Sequence, residues 1–250
     1  MNYPYNYLQL PENCLLEKRI YKKLFYENTR MNATDKKWFT ADIESITWMY
    51  TLKPELTVIK AFEEEHFSYE EITVVELEIS SHSHLNRLSD IIHRSIPYPL
   101  LLIYRENETL FFSIADKRYN LADDQAATLM ALWVTDGFTQ AGLTAAQALF
   151  LQQLAYSKQP KIHLKAFYQS WIEAFRAYEV ASITGEFMME TEAAKREARI
   201  EQLTEYRDTE QQLQELKTEL KKQASFSEKV KLNMQIKTLE NELKTISKTL

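Results

Sequence analysis

Two carboxylates, Glu76 and Glu78, stand two residues apart in the β-branched run Ile72-Thr73-Val74-Val75-Glu76-Leu77-Glu78-Ile79. On an extended strand that spacing turns both side chains to one face, where they could share a divalent cation through oxygen ligands. Asp42, at the end of the preceding helical segment, would add a third oxygen, and magnesium held this way is the chemistry of metal-assisted hydrolysis. His82-Ser83-His84 follows the run at once, and His93 lies on the next segment. Two histidines so spaced could ligate a metal if carboxylates joined them; no HExxH or comparable spacing is present, so they read as surface or loop-capping residues and no metal is assigned.

A third group is basic. Lys18, Arg19, Lys22 and Lys23 interleave with Tyr21, Phe25 and Tyr26, combining charge for phosphate with rings on which bases stack. Lys158, Lys161 and Lys165 beside His163 form a thinner one. No GxSxG elbow, SxxK, P-loop or GxGxxG occurs. The one cysteine, Cys14, has no CxxC companion, which excludes an internal disulfide and a thiolate zinc site and favours a reducing compartment.

The elements that must position these groups follow from composition and period. With 45% hydrophobic and 26% charged residues over 250 positions, the chain can bury a core, and 3 glycines and 6 prolines leave little material for phosphate loops or long linkers. A net charge of −6 argues against coating nucleic acid wholesale while leaving room for a local basic patch. The N-terminus lacks a basic patch and an apolar core, and the apolar runs are too short to span a bilayer, so a cytoplasmic protein with no membrane contact is expected.

Mixed charge and aromatics over Leu10 to Asn28 allow a helix. Thr34 reads as the cap of a short helix running to Ile43. Alternation over Ile46 to Leu52 predicts a strand ended by Pro54, and Ile72 to Ile79 a second. Leu85, Leu88, Ile91 and Ile92 recur at helical spacing, and Pro97 and Pro99 close that helix before the strand Leu100 to Tyr104. A turn at Arg105–Glu108 leads into Thr109 to Ile114, and a fifth strand covers Thr128 to Val134. Beyond Gly142 the period is helical. Leu143 to Tyr156 makes one helix, and Leu164, Phe167, Trp171, Phe175 and Tyr178 stripe another for core packing.

From Glu192 to Leu250 there is neither glycine nor proline. Leu232, Ile236, Leu239, Leu243, Ile246 and Leu250 alternate spacings of four and three, a heptad seam. The stretch before it, with Ile200, Leu203, Leu213, Leu216 and Leu220, is interrupted by Arg207 and Glu210. Ser225-Phe226-Ser227-Glu228 has the pattern of a capping box opening a new helix. A helix from Glu192 to Gln223 would reach about 45 Å, so it must project or fold back. The seam leaves open a hairpin within the chain or self-association with another.

Taken together, Lys18 to Asn28, Phe39 to Tyr50, Val75 to Ile79 and Ile96-Pro97-Tyr98 resemble the bacterial family described as domain of unknown function 4391, and Phe226 to Asn233 resembles the end of the same proteins. The resemblance spans nearly the whole chain. It implies a neighbourhood, since such genes sit beside DNA methyltransferases and superfamily-two helicases in restriction-like or anti-phage loci, and it carries over no catalytic residue. The order helix, strand, strand, helix, strand is also similar to the core of PD-(D/E)xK nucleases. Such an enzyme carries a lysine two residues after its strand acid, where this chain has Glu78 and then Ser80; Lys60 or Lys117 would have to reach the site.

The sequence therefore predicts an α/β (α+β) fold: a mixed-sheet domain with flanking helices over residues 1–140, a helical segment packed on it over 141–190, and a coiled-coil-like arm over 191–250. The expected function is that of a non-catalytic accessory or adaptor subunit of a DNA-modification or defence assembly, without cofactor. Helicase or methyltransferase subunits would bind through Leu232, Ile236, Leu239, Leu243 and Ile246, and DNA through Lys18, Arg19, Lys22 and Lys23. The competing expectation is a magnesium-dependent nuclease, degenerate or active, using Glu76, Glu78 and Asp42.

Overall fold

The computed structural model describes residues 3–64, 67–119 and 127–250. In chain order its elements begin with α1 (Tyr5–Leu8), β1 (Leu15–Arg19), α2 (Lys22–Asn28), α3 (Ala33–Asp42), β2 (Ile43–Leu52) and α4 (Pro54–Thr57). A small hairpin, β3 (Phe62–Glu64) with β4 (Phe67–Tyr69), precedes β5 (Ile72–Ile79), α5 (Leu85–Ser95), β6 (Leu100–Glu106), β7 (Thr109–Tyr119), β8 (Ala127–Val134) and β9 (Phe138–Thr139). The rest is helical: α6 (Ala145–Gln153), α7 (Leu164–Thr184), α8 (Ala193–Lys222) and α9 (Phe226–Ile246). This is the mixed α/β architecture the sequence predicts.

Among the described residues the main sheet runs β1-β2-β5-β6-β7-β8, with β9 on the start of β7. β5 and β6 are parallel, joined by α5, and the other neighbours are antiparallel. A parallel pair needs a crossover with an apolar face to cover the sheet, and α5 supplies it: Leu85, Leu88, Ile91 and Ile92 are all buried. They pack with Val75, Leu77, Leu100, Leu102 and Tyr104 from the strands and Phe39 from α3. The opposite side of the sheet is held by Phe112, Phe138, Phe150 and Phe175 in edge-on and tilted pairs, with the Tyr168 hydroxyl bonded to Ala115 O at 2.9 Å. The stripe of α7 predicted for packing is packed: Leu164, Phe167 and Trp171 have no exposed surface. Gly137 lets β9 approach β7, because a Cβ there would lie 2.8 Å from Thr109 Cγ2.

The helix allowed over Leu10 to Asn28 is replaced in part by strand. Leu15–Arg19 pairs with β2, and Glu17 takes a left-handed φ of 48° where the register slips between Leu15 and Lys18. All five residues of β1 are exposed, so the segment has no apolar face to hold a helix on the body, whereas the open edge of β2 offers backbone partners. Asn32 rather than Thr34 caps α3. Its side chain accepts from Asp35 N at 2.8 Å, and the Asp35 carboxylate accepts from Asn32 N at 3.1 Å.

The chain divides into two compact units, residues 1–176 and 177–250, with the boundary inside α7. In the second unit α9 returns antiparallel to α8: Leu203 near one end of α8 clusters with Ile246 and Leu250, and Lys217 pairs with Glu240 at 3.0 Å. The seam of α8 continues through Tyr206 and Thr209 where Arg207 and Glu210 suggested a break, because Thr209 is buried with its hydroxyl bonded to Glu205 O. Ser225 opens α9 but its side chain makes no cap bond; Gln223 Oε1 accepts from Ala224 N and Ser225 N instead. Gly185, with φ 85°, ends α7 in the left-handed conformation that favours glycine.

One buried cation carries a thermodynamic consequence. Lys117 on β7 is 5% exposed and its Nζ donates to Ile96 O at 2.7 Å and Tyr98 O at 2.8 Å. Burial pushes its pKa down to about 7. A neutral amine has two N–H donors, which match the two carbonyls; the ammonium has a third with no partner. The folded chain thus binds this proton less tightly than the unfolded chain, and stability rises with pH above about 7, by up to about 1.4 kcal/mol per pH unit. His93, buried and held well below its ordinary range by desolvation, acts with the same sign at lower pH. Urea unfolding between pH 7 and 9, below the range where the buried tyrosines act with opposite sign, should show the rise. Lys161, whose pKa burial lowers to about 8, adds to the rise, so Lys117→Met should reduce the slope without abolishing it, and equal slopes in the two proteins would refute the assignment.

Candidate functional site

α5 has a cavity at each end, and some of the residues singled out by the sequence, Lys18, Arg19, His82 and His84, line them. At its C-terminal end, a cavity of about 300 Å³ is lined by Phe25, Trp48, Val75, Ile96, Pro97 and Tyr98, with Lys18 and Arg19 on β1 also contributing. Trp48 lies between β1 and β5 in the sheet, opposite Lys18 on one side and Val75 on the other. Its Nε1 donates to Tyr50 O at 3.0 Å, which fixes the indole plane. Two hydroxyls here are committed to backbone: Ser95 Oγ donates to Ile91 O and Thr73 Oγ1 to Pro99 O. The cavity therefore offers apolar walls, an indole and two cations, with the Tyr98 phenol as its remaining hydroxyl.

The remaining members of the basic cluster are placed differently. Lys22 Nζ bonds Thr40 O and Ile43 O, and its pKa is lowered by burial, so it ties α2 to the α3–β2 junction. Phe25 is core, Tyr26 bonds the Thr40 hydroxyl, and Lys23 is an exposed residue of α2. The thinner group is engaged locally: Lys161 lies over the Tyr156 ring, Lys165 pairs with Glu64 at 3.0 Å, and His163 Nδ1 accepts from Ala166 N.

The carboxylates are dispersed. Glu76 receives Arg105 Nη2 at 2.9 Å and the Tyr5 hydroxyl at 2.7 Å, so a guanidinium stands where a metal would. Burial first, and then the Glu76 charge, push the Tyr5 phenol well above its ordinary range. Glu78 accepts from Ser45 Oγ at 2.8 Å. Asp42 turns to His84. Among the described residues no three His, Cys, Asp or Glu side chains gather as a metal would need. Cys14 is buried, and that burial raises its thiol pKa.

At the N-terminal end of α5, a second cavity of about 410 Å³ is lined by residues that include Trp38, His82, His84, Arg87 and Phe111. His84 Nδ1 lies 2.6 Å from Asp42 Oδ2, and His82 Nδ1 2.6 Å from Glu106 Oε2. Each ring is also stacked, His84 on Trp38 at 4.0 Å and His82 on Phe111 at 5.1 Å. Asp35 and Arg87 hold this end together. Arg87 Nε and Nη2 donate to the two oxygens of Asp35 at 2.8 and 2.7 Å, joining α3 to α5. The Arg87 bonds, with help from Asn32 N, hold the Asp35 carboxyl below its usual range. The sequence named Asp42, His82 and His84, but not the partnership of Asp42 with His84 or the role of Glu106; both arise from residues more than 20 positions apart.

The seam residues assigned to a partner are covered within the chain. Leu232 and Ile236 are buried, and Leu239, Leu243 and Ile246 are half-buried, in the helical unit. On α9 the exposed apolar side chains are Phe226, Val230 and Met234, one turn apart on a single ridge.

The sequence model of one family spans residues 8–243. The chain belongs to the family described as domain of unknown function 4391. No curated protein and no solved structure matches it. No helix of the described residues is long and apolar enough to cross a membrane. The two cavities of α5, a third cavity of about 660 Å³ beside Tyr5, Glu76 and Arg105, and the ridge of α9 are surfaces with chemistry to offer.

The α3–α5 clamp is testable by itself. Arg87→Ala leaves a buried carboxylate without its guanidinium. The loss should be about 2 kcal/mol, below the ~3–5 kcal/mol of a fully buried pair because Arg87 is 42% exposed. Urea denaturation measures it, and a loss under about 0.5 kcal/mol would show that the pair behaves as a surface ion pair.

Proposed function

We propose that this chain is a non-catalytic accessory subunit of a bacterial DNA-modification or anti-phage assembly, acting in the cytoplasm. Its α/β unit contacts nucleic acid and its helical unit docks a helicase or methyltransferase partner. The observation that carries the reading is the cavity beside Trp48 and Tyr98 with Lys18 and Arg19 on its border. An aromatic surface next to two exposed cations is what an unstacked base and its neighbouring phosphates require, with the base on the ring and the phosphates on the cations.

The size of the cavity, about 300 Å³, is at the lower end of ligand sites and suits one planar ring system. The Thr73 and Ser95 hydroxyls are spent on carbonyls and leave the Tyr98 phenol alone to read a polar edge, so binding relies mainly on stacking and charge and discriminates weakly among bases. Weak discrimination suits a subunit whose partners supply the sequence choice. Arg105 against Glu76, and Asp42 turned to His84, leave the nuclease alternative without an assembled set of carboxylates.

Single-stranded DNA titrated against tryptophan fluorescence tests the first half. Trp48→Ala should weaken binding by about 1–3 kcal/mol. Lys18→Glu with Arg19→Glu should weaken it for all sequences alike and reduce the slope of log K on log salt by about 1.4, at ~0.7 per phosphate contact. Unchanged affinity in both variants would end the nucleic-acid reading. For the second half, Phe226→Ser with Met234→Ser in the full chain should lose co-purification of a helicase or methyltransferase partner. Leu149→Ser, an exposed apolar site in the other unit, should not; equal recovery by all three proteins would remove the docking assignment.

A further inference from the structure

With the heptad seam closed inside the helical unit, each of its two long helices still carries a second stripe, on its outer surface. On α8 six carboxylates, Glu197, Glu201, Glu205, Asp208, Glu215 and Glu219, recur at helical spacing on one face, with Gln212 in the one remaining place. On α9 the outer stripe is Phe226, Val230, Met234, Lys237, Asn241 and Lys244, at spacings of four, four, three, four and three. That is the same run of spacings as Glu197, Glu201, Glu205, Asp208, Gln212 and Glu215. Every residue of both stripes is exposed, so neither covers the other within the chain.

The chemistry of the two stripes is opposite. The first is anionic along its whole length; the second is apolar in its first half and cationic in its second, with no carboxylate. The ion pairs of these helices use other groups: Lys195 with Glu192, Arg207 with Glu179, Lys217 with Glu240 and Lys231 with Glu228. Glu215 accepts one bond, from Gln211 Nε2 at 2.9 Å. A helix surface that faces only water usually intersperses both signs, so that neighbours four apart attract. Here Glu197 and Glu201, Glu201 and Glu205, and Glu215 and Glu219 repel. A cationic stripe of the same period laid along α8 relieves that repulsion, and the outer stripe of α9 has both the period and the charge.

We propose that this chain associates with a second copy of itself by laying the outer stripe of α9 of one molecule along the outer stripe of α8 of the next. Lys237 and Lys244 meet the carboxylates, and Phe226, Val230 and Met234 cover the methylene stems of the glutamates. The two surfaces differ, so the contact is heterologous: a pair of copies keeps one stripe of each kind free, and association grows with concentration. This goes beyond the accessory reading. A docked partner and a second copy would compete for Phe226 and Met234, but the chain by itself carries only the second contact. Its failure therefore leaves partner docking standing, and the reverse holds too.

Sedimentation of the purified full chain at low salt should give a mean mass that climbs above the 29.5 kDa monomer as concentration rises. The mass should return toward the monomer at about 1 M salt, where the screening length falls to about 3 Å. Glu201→Lys with Glu205→Lys, and separately Lys237→Glu with Lys244→Glu, should each weaken association by about tenfold or more, because like charges then face each other. Mixing the two variants in equal amounts should restore it, since the mixture holds one unaltered stripe of each kind on different molecules and the reversed stripes attract as well. A variant that had merely lost its fold could not be rescued in this way. A constant monomer mass for the unaltered chain overturns the proposal. So do charge-reversed variants that associate as strongly as the unaltered chain, or a mixture no larger than its separate components.

Discussion

The parallel pairing of β5 with β6 is the constraint from which both cavities follow. Side chains of the two strands are buried on both faces over Thr73–Val75 and Leu100–Tyr104, so the polar groups there in the middle of the sheet, Thr73 and the Tyr104 hydroxyl, are closed off in internal hydrogen bonds. The crossover helix α5 spans 11 residues, about 16 Å, and covers that middle. Beneath the helix the polar side chains are paired with one another, Ser89 with Tyr104 and His93 with Ser113, and the solvent-facing polar groups lie toward its two ends. The Ile96–Tyr98 linker and β1 border one end; the His82–His84 loop, Trp38 of α3, Phe111 of β7 and the end of β8 border the other.

Each end is stabilised by a different electrostatic solution. At the linker end, Lys117 is buried against two carbonyls and tolerates this because the neutral amine satisfies both of them. At the loop end, Arg87 and Asp35 form a two-bond pair whose carboxylate also completes the cap of α3, so one side chain sets both the start of that helix and its angle to α5. Trp38 and Asp42 lie on α3 and reach His84 only because of that angle. Polar anchoring thus determines the geometry of the histidine loop, while apolar burial under α5 supplies most of the stability.

The acidic face of β5 shows why residue type and spacing are insufficient for a site. Glu76 and Glu78 do share a strand face, but the register of the parallel pair sets Arg105 of β6 opposite Glu78, from where its guanidinium reaches Glu76. A carboxylate already neutralised by a bidentate-capable cation gains little from a metal, which would have to displace that cation first. The helical unit teaches the same lesson with apolar groups. A heptad seam specifies that something will cover it, and here α8 does so from within the chain, leaving Phe226, Val230 and Met234 as the apolar surface of α9.

Local order was legible from the residues alone wherever one periodicity dominated. The alternation and branching of Ile72–Ile79, the helical spacing of Leu85–Ile92, the prolines before Leu100 and the seam of α9 each set their element without tertiary help, because backbone and side-chain entropy favour one conformation there. Lys18 and Arg19 near an aromatic group, and the pair His82 and His84, were likewise visible as chemistry-bearing residues. Tertiary structure decided what those residues face. Whether Leu15–Arg19 became a strand depended on the open edge of β2, and whether Glu76 met a cation depended on the register of β6. The engagement of His84 by Asp42 depended on the clamp between α3 and α5. These outcomes turn on pairings between residues far apart in the chain, whose free energy exists only once the sheet has closed around its crossover.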